Sequence, residues 1–96
     1  MVEIEWSQTS ENDLNGIIDY IAQDSLEYAL SFYEEVREKV GNLVQFPKMG
    51  RKVPELDNPN IRELILRNYR LIYRIIGEKV QIIRLIHGSR ILDFKT

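Results

Sequence analysis

The residues of this sequence that could bind an anion are gathered in its second half. Residues 47–96 carry eleven lysines and arginines against five acids, a formal charge of +6. Residues 1–46 carry two basic residues against ten acids, a formal charge of −8. A basic half joined to an acidic half gives the molecule one face suited to RNA, DNA or an acidic peptide. The alternative is that acidic helices merely precede a basic sheet, with no partner implied.

The composition excludes several other kinds of chemistry. The sequence contains no cysteine, which rules out disulfides and thiolate metal sites, and we expect neither a metal nor a cofactor. No apolar run approaches the roughly 18 residues of a membrane span. The first residues, Val2-Glu3-Ile4-Glu5-Trp6, lack the basic start and apolar block of a signal peptide. We therefore expect a cytoplasmic protein without membrane contact.

The elements that must position the charged residues begin with a strand and two helices. Val2, Ile4 and Trp6 alternate with acids, which is the two-residue period of a half-buried strand. Apolar residues at helical spacing predict one helix over residues 10–23 and a second, capped by Ser25, that ends near Phe46. The short link between the helices predicts an antiparallel hairpin.

The second half of the sequence predicts a loop followed by a sheet. Three prolines and Gly50 indicate a basic loop without regular structure over residues 47–60. Strand-like runs follow at 61–66, 69–76 and 80–87, and residues 91–94 could add a short final strand. We thus expect one domain over residues 1–96 with a two-layer α+β fold, in which an antiparallel meander packs against the helical hairpin.

The two faces of the predicted meander differ in polarity. Two-residue hairpins would pair Leu66 with Tyr69 and Ile76 with Lys79. One face is then almost wholly apolar and should lie under the helices. It contains Leu64, Leu66, Tyr69, Leu71, Tyr73, Ile75, Val80, Ile82 and Ile86. The other face mixes charged with apolar side chains, as docking surfaces do, unless Phe94 and the C-terminal segment cover it. We expect a partner to bind there, at Ile61, Glu63, Ile65, Arg70, Ile72, Arg74, Gln81, Ile83, Leu85, His87 and the nearby Arg90.

Several short motifs, taken together, resemble the RelE/ParE superfamily of type II toxin–antitoxin toxins. They are Gly50-Arg51, Val53-Pro54-Glu55, Ile61-Arg62-Glu63-Leu64, Tyr69-Arg70-Leu71-Ile72-Tyr73-Arg74 and His87-Gly88-Ser89-Arg90. The resemblance covers nearly the whole chain and implies the RelE-like fold. It also implies a cytoplasmic prokaryotic toxin that is neutralised by a cognate antitoxin, with operator DNA bound only through that antitoxin.

The resemblance leaves the cellular target open between the ribosome and DNA gyrase. RelE-like members cleave mRNA on the ribosome, which requires a base for the ribose 2′-OH, a cation for the phosphate and an acid for the leaving oxygen. By motif position, Glu55, Arg70 and His87 match these roles in the mRNA-cleaving relatives. ParE-like members bind DNA gyrase and need no catalytic residues.

Other interpretations of the three candidates favour the non-catalytic branch. Glu55 could be a solvated loop acid, Arg70 could form a surface ion pair with Glu63, and His87 could be structural. The C-terminal tyrosine or basic cluster of many mRNA-cleaving members is missing, and a pI of 5.4 is low for a ribosome-binding protein. The expected function is therefore gyrase inhibition. The alternatives are mRNA cleavage and a non-toxic module that only binds an antitoxin.

Overall fold

A computed structural model describes residues 2–90, which form one mixed sheet with two helices packed against it. The elements are β1 (Glu3–Trp6), α1 (Gln8–Asp24), α2 (Leu26–Asn42), β2 (Arg51–Lys52), β3 (Ile61–Leu66), β4 (Tyr69–Ile76) and β5 (Lys79–His87). The strand order is β1-β5-β4-β3-β2, and β1 lies parallel to β5 while the other neighbours are antiparallel. The predicted α+β fold is confirmed. The predicted final strand and Phe94 lie outside the described residues.

The predicted helical hairpin forms, and a serine caps the start of each helix. Ser7 is the N-cap of α1, where its side chain accepts a hydrogen bond from the backbone of Ser10, so α1 begins slightly earlier than expected. Ser25 ends α1 through a bond from its N–H to the carbonyl of Ile21, and its side chain caps α2. Neither helix is long and apolar enough to span a membrane, a finding that holds for residues 2–90.

The main core lies between the helices and the predicted apolar face of the sheet. Buried side chains of α2 meet those of β3, β4 and β5, with Leu14 of α1 at one end. The cluster comprises Leu14, Phe32, Val36, Val40, Leu43, Leu64, Leu66, Leu71, Tyr73, Val80, Ile82 and Leu85. Removing this much apolar surface from water is the dominant stabilising term of the fold.

The hairpin registers agree with the sequence prediction as far as the middle of β5. Leu66 pairs with Tyr69 and Ile76 pairs with Lys79. Each tight turn has its first residue in the left-handed region, at φ 56° for Arg67 and φ 57° for Gly77. Positive φ is natural for glycine and costly for arginine, so the first turn stores some backbone strain.

A β-bulge at Ile83 reverses the facing of the last residues of β5. Ile72 pairs with Arg84 whereas Tyr73 pairs with Ile82, which leaves Ile83 as the extra residue. Simple alternation was therefore wrong for the end of the strand. Leu85, expected on the polar face, lies in the core under the helices. Ile86, expected under the helices, lies on the other face opposite Arg70, and His87 lies opposite Tyr69.

The loop over residues 47–60 is more structured than predicted, because it contains β2 and covers part of the second sheet face. Val53 is buried on that face, and Leu56 packs beside it. Together with Ile61, Ile72 and Ile86 they form a second apolar cluster. We call residues 47–60 the covering loop. The expectation of an open docking face is thus corrected, since the covering loop recovers much of its apolar surface.

Candidate functional site

A buried carboxylate, Glu63 of β3, lies at the centre of the candidate site. Its side chain has no exposed surface and contacts two arginines. Arg51 of β2 reaches it across the pair of strands in which the two residues are register partners, and Arg70 reaches it from β4. The Arg70 Nε to Glu63 Oε1 distance is 2.7 Å. The predicted pairing of Arg70 with Glu63 is confirmed, but its expected location at the surface was wrong, because both residues are buried.

Arg70 also holds Glu55 of the covering loop. Its Nη1 and Nη2 donate to the two carboxylate oxygens of Glu55, each at 2.7 Å. The Arg70 side chain is 7% exposed and that of Glu55 is 24% exposed. Hydrogen bonds to Glu55 are the main cause that raises the pKa of Arg70, which stays a cation at every accessible pH.

The N–H groups of the Arg70 guanidinium are directed at protein groups. Two hydrogen bonds go to Glu55, one goes from Nε to Glu63, and Nη1 also donates to the carbonyl oxygen of Arg90 at 3.0 Å. A guanidinium has five N–H groups, so four are hydrogen-bonded, and Nη2 lies 2.6 Å from the Glu63 carboxylate as an ion pair. With Arg51 included, two cations face two carboxylates and the cluster is formally neutral. A phosphate could therefore bind Arg70 only by displacing Glu55.

The three candidate catalytic residues line one cleft of about 420 Å³. The cleft lies between the covering loop, the β3–β4 turn and the end of β5. Its walls are Arg51, Pro54, Glu55, Ile65, Arg67, Asn68, Tyr69, Arg70, His87, Gly88 and Ser89. The motif positions quoted from the sequence thus converge in space, although they belong to three different elements.

His87 is exposed at the rim of the cleft. Its Nδ1 accepts a hydrogen bond from the backbone N–H of Ser89 at 3.2 Å and lies 2.7 Å from the Ser89 hydroxyl oxygen. Acceptance at Nδ1 assigns the proton of the neutral ring to Nε2. The Tyr69 ring meets it edge-on, with centroids 5.7 Å apart. His87 is thus oriented, and its Nε2–H is the donor it can offer to a ligand.

The residues predicted to bind a partner separate into three groups by burial. Ile61, Glu63, Arg70, Ile72 and Leu85 are buried. Arg74, Gln81 and Ile83 are half-buried, and Ile65, His87 and Arg90 are exposed. Only the last two groups can contact another molecule without rearrangement of the fold.

Arg67, which the sequence reasoning passed over, also lines the cleft. Its guanidinium stacks over the Tyr28 ring at 4.5 Å, donates to the Ser31 hydroxyl at 3.0 Å and pairs with Glu35 at 3.3 Å. It therefore fastens the β3–β4 turn to α2. The only signal in the sequence was an arginine in a turn position that favours glycine or asparagine.

Comparisons with known proteins agree with this fold. A family model described as "ParE toxin of type II toxin-antitoxin system, parDE" matches residues 4–92. Among solved structures, the chromosomal ParDE toxin–antitoxin system of P. aeruginosa aligns at 27% identity and a TM-score of 0.75. The alignment covers 93% of this chain and 98% of that one. No curated protein sequence matched.

Two further structures share the fold at lower identity. The YoeB/ParE toxin of Agrobacterium tumefaciens aligns at 14% identity and a TM-score of 0.63 over 90% of this chain and 98% of that one. The toxin–antitoxin complex RelBE2 of Mycobacterium tuberculosis aligns at 22% identity and a TM-score of 0.56. The alignment covers 90% of this chain and 96% of that one. The family model covers nearly the whole chain, and the similar structures share its fold. This chain therefore belongs to the ParE toxin family of type II toxin–antitoxin systems.

Proposed function

We propose that this protein arrests growth by binding a type II topoisomerase, DNA gyrase, rather than by cleaving RNA. The observation that carries the proposal is the double hydrogen bond between Glu55 and Arg70, supported by the buried Glu63. A general base must be placed against the proton that it abstracts, and a phosphate-binding cation needs donors that a phosphate can reach. Glu55 and Arg70 are directed at each other instead.

The ion pair also opposes RNA binding energetically. Separating Glu55 from Arg70 costs about 1 kcal/mol, because Glu55 is partly solvated and Arg70 keeps Glu63. RNA cleavage through Arg70 would have to repay this cost before any chemistry. A protein that acts by binding has no such cost, and the neutral cluster then holds the covering loop against the sheet.

We further propose that a cognate antitoxin covers the exposed and half-buried part of the predicted docking surface. The similar structures from P. aeruginosa and M. tuberculosis are described as a toxin–antitoxin system and a toxin–antitoxin complex. The available surface comprises Ile65, Arg74, Gln81, Ile83, His87 and Arg90. It carries arginines beside isoleucines, which suits an acidic, apolar-studded segment. Operator DNA would then be bound through the antitoxin, in the cytoplasm.

A second candidate function, cleavage of mRNA on the ribosome, is favoured by one observation. Glu55, Arg70 and His87 line the same cleft. If an RNA phosphate displaced Glu55 from Arg70, the released carboxylate would lie beside the substrate. A doubly protonated His87, with its Nδ1–H facing the Ser89 hydroxyl oxygen, could then donate the Nε2 proton to the leaving oxygen and become neutral.

Expression with separate DNA-damage and translation reporters distinguishes the candidates. Gyrase inhibition predicts induction of the DNA-damage reporter, inhibition of supercoiling by purified gyrase, and full toxicity of the His87→Ala and Glu55→Gln variants. Prompt translation arrest with cleaved transcripts, abolished by His87→Ala, would overturn the proposal in favour of RNA cleavage. Absence of any growth defect from the folded protein would instead identify a non-toxic antitoxin-binding module.

A further inference from the structure

The turn that follows α2 presents two large apolar side chains to solvent. Phe46 is 62% exposed and Met49 is 47% exposed, with the exposed Lys48 between them. Scattered apolar residues on a surface need no explanation, whereas adjacent ones on a single turn mark an interaction site more often.

Buried groups hold the turn from beneath. The Tyr73 hydroxyl, within the main core, donates to the carbonyl oxygen of Pro47 at 2.7 Å and accepts from the N–H of Gly50 at 3.0 Å. Arg62 of β3 donates to the carbonyl oxygens of Lys48 at 3.3 Å and Gly50 at 2.9 Å. The backbone of the turn is therefore fixed by the sheet, independently of its exposed side chains.

The close approach at Gly50 makes this anchoring specific. A Cβ added there would lie 2.6 Å from the backbone oxygen of Glu63 and 2.7 Å from the Tyr73 hydroxyl. Only glycine allows the turn to descend this far onto the sheet. A fixed backbone loses little conformational entropy on binding, so the exposed side chains are preorganised for a partner.

The surroundings of the turn are basic. Residues 46–54 contain Lys48, Arg51 and Lys52 and no acid. Arg51 is paired with Glu63, yet its side chain remains 61% exposed. An apolar turn beside cations suits a partner surface that carries acidic side chains around an apolar pocket.

We propose that the turn of residues 46–49 is the contact through which the protein grips its target, by inserting Phe46 and Met49 into an apolar pocket with an acidic rim on a folded protein. This proposal rests on the proposed function, in which that protein is gyrase. Projecting side chains need a pocket, which a folded partner provides and a flexible antitoxin tail does not. A single-stranded nucleic acid would be held by a series of stacking aromatic residues, whereas this turn offers one aromatic ring and a flexible thioether.

The test compares two matched double variants in a supercoiling assay with purified gyrase. Phe46→Ser with Met49→Ser removes the proposed contact, and Tyr20→Ser with Leu26→Ser removes apolar residues of the helices that are even more exposed. Both should keep the melting temperature within a few degrees, because exposed side chains contribute little to stability. We expect the first variant to lose inhibition at least tenfold, about the loss of a hot-spot residue, and the second to inhibit like the unmodified protein.

A charge reversal supplies a second measurement. Lys48→Glu should weaken inhibition more at low salt than at high salt, and Lys39→Glu on α2 should not. Unchanged inhibition by the Phe46/Met49 variant would overturn the turn proposal and leave gyrase as the target. If the Phe46/Met49 variant inhibits gyrase normally but no longer binds RNA, the turn proposal is also overturned, and the turn is then a contact for a nucleic acid. Failure of the unmodified protein to inhibit gyrase would overturn both proposals together.

Discussion

The carboxylate of Glu55 and the guanidinium of Arg70 face each other in a paired contact, with both nitrogen-to-oxygen distances at 2.7 Å. The contact joins the covering loop to the central strand β4, and the buried Glu63 supports it from the next strand. It therefore serves the fold directly, and it occupies the groups that a nuclease would need for RNA.

Glu63 should matter more for stability than Glu55. Glu63→Ala leaves Arg70 buried with one of its two carboxylates, and we expect a loss of about 3 kcal/mol or more in the free energy of unfolding. Glu55→Ala should cost less, about 1 kcal/mol, because Glu55 is partly solvated and Arg70 keeps Glu63. Urea denaturation measures both, with Glu35→Ala, a half-exposed partner of Arg67, as the control. Equal losses at Glu55 and Glu63 would contradict the buried network.

Gly50 and Gly41 should respond to alanine in opposite directions. Gly50→Ala places a methyl group against the Glu63 backbone and the Tyr73 hydroxyl, so we expect destabilisation of about 1 to 3 kcal/mol. Gly41→Ala in α2 meets nothing within 4 Å and should stabilise by up to about 1 kcal/mol, through helix propensity. Thermal unfolding of the two variants decides the matter. A stable Gly50→Ala variant would show that the turn is not held as described.

We expect Tyr73 to make the stability of the fold sensitive to alkaline pH. Burial raises the pKa of Tyr73, so the folded state holds its proton more tightly than the unfolded chain does. Its contribution to stability is complete below the ordinary tyrosine pKa of about 10 and is lost as pH rises through the higher folded value. Tyr73→Phe should cost about 1 to 3 kcal/mol at neutral pH, since the Gly50 N–H loses its acceptor.

The check is unfolding by urea at a series of pH values from neutral to strongly alkaline. The unmodified protein should lose stability more steeply above about pH 10 than Tyr73→Phe, because the other tyrosines and lysines are common to both. If the free energy of unfolding falls equally with pH in both proteins, Tyr73 is not the source of the alkaline loss of stability.

Arg67 should reveal the strain of its turn. Arg67→Ala removes the contacts with Tyr28 and Glu35 and keeps a side chain at φ 56°. Arg67→Gly removes the same contacts and relieves the backbone, so it should be less destabilising than alanine by about 1 kcal/mol. Chemical denaturation of the pair gives the difference. A glycine variant with a lower free energy of unfolding than the alanine variant would show that the backbone at Arg67 is not strained.

Local patterns predicted the elements well because their causes are local. Ser25 can cap its helix whatever the rest of the chain does, because the cap hydrogen bond joins residues only three positions apart. The register of Leu66 with Tyr69 follows from a two-residue turn. Period-two alternation failed beyond Ile83, because a single extra residue shifts every later side chain to the opposite face.

The sequence by itself determined the order of the helices and of every strand except β2, the hairpin registers as far as the bulge at Ile83, and the motifs that converge on one cleft. Only the tertiary structure decided what those motifs do there. Glu55 and Arg70 lie fifteen residues apart on a loop and a strand, so neither periodicity nor propensity could place one against the other. The covering loop brings them together because Val53 and Leu56 find an apolar face to cover, and the burial of that face is a property of the whole fold.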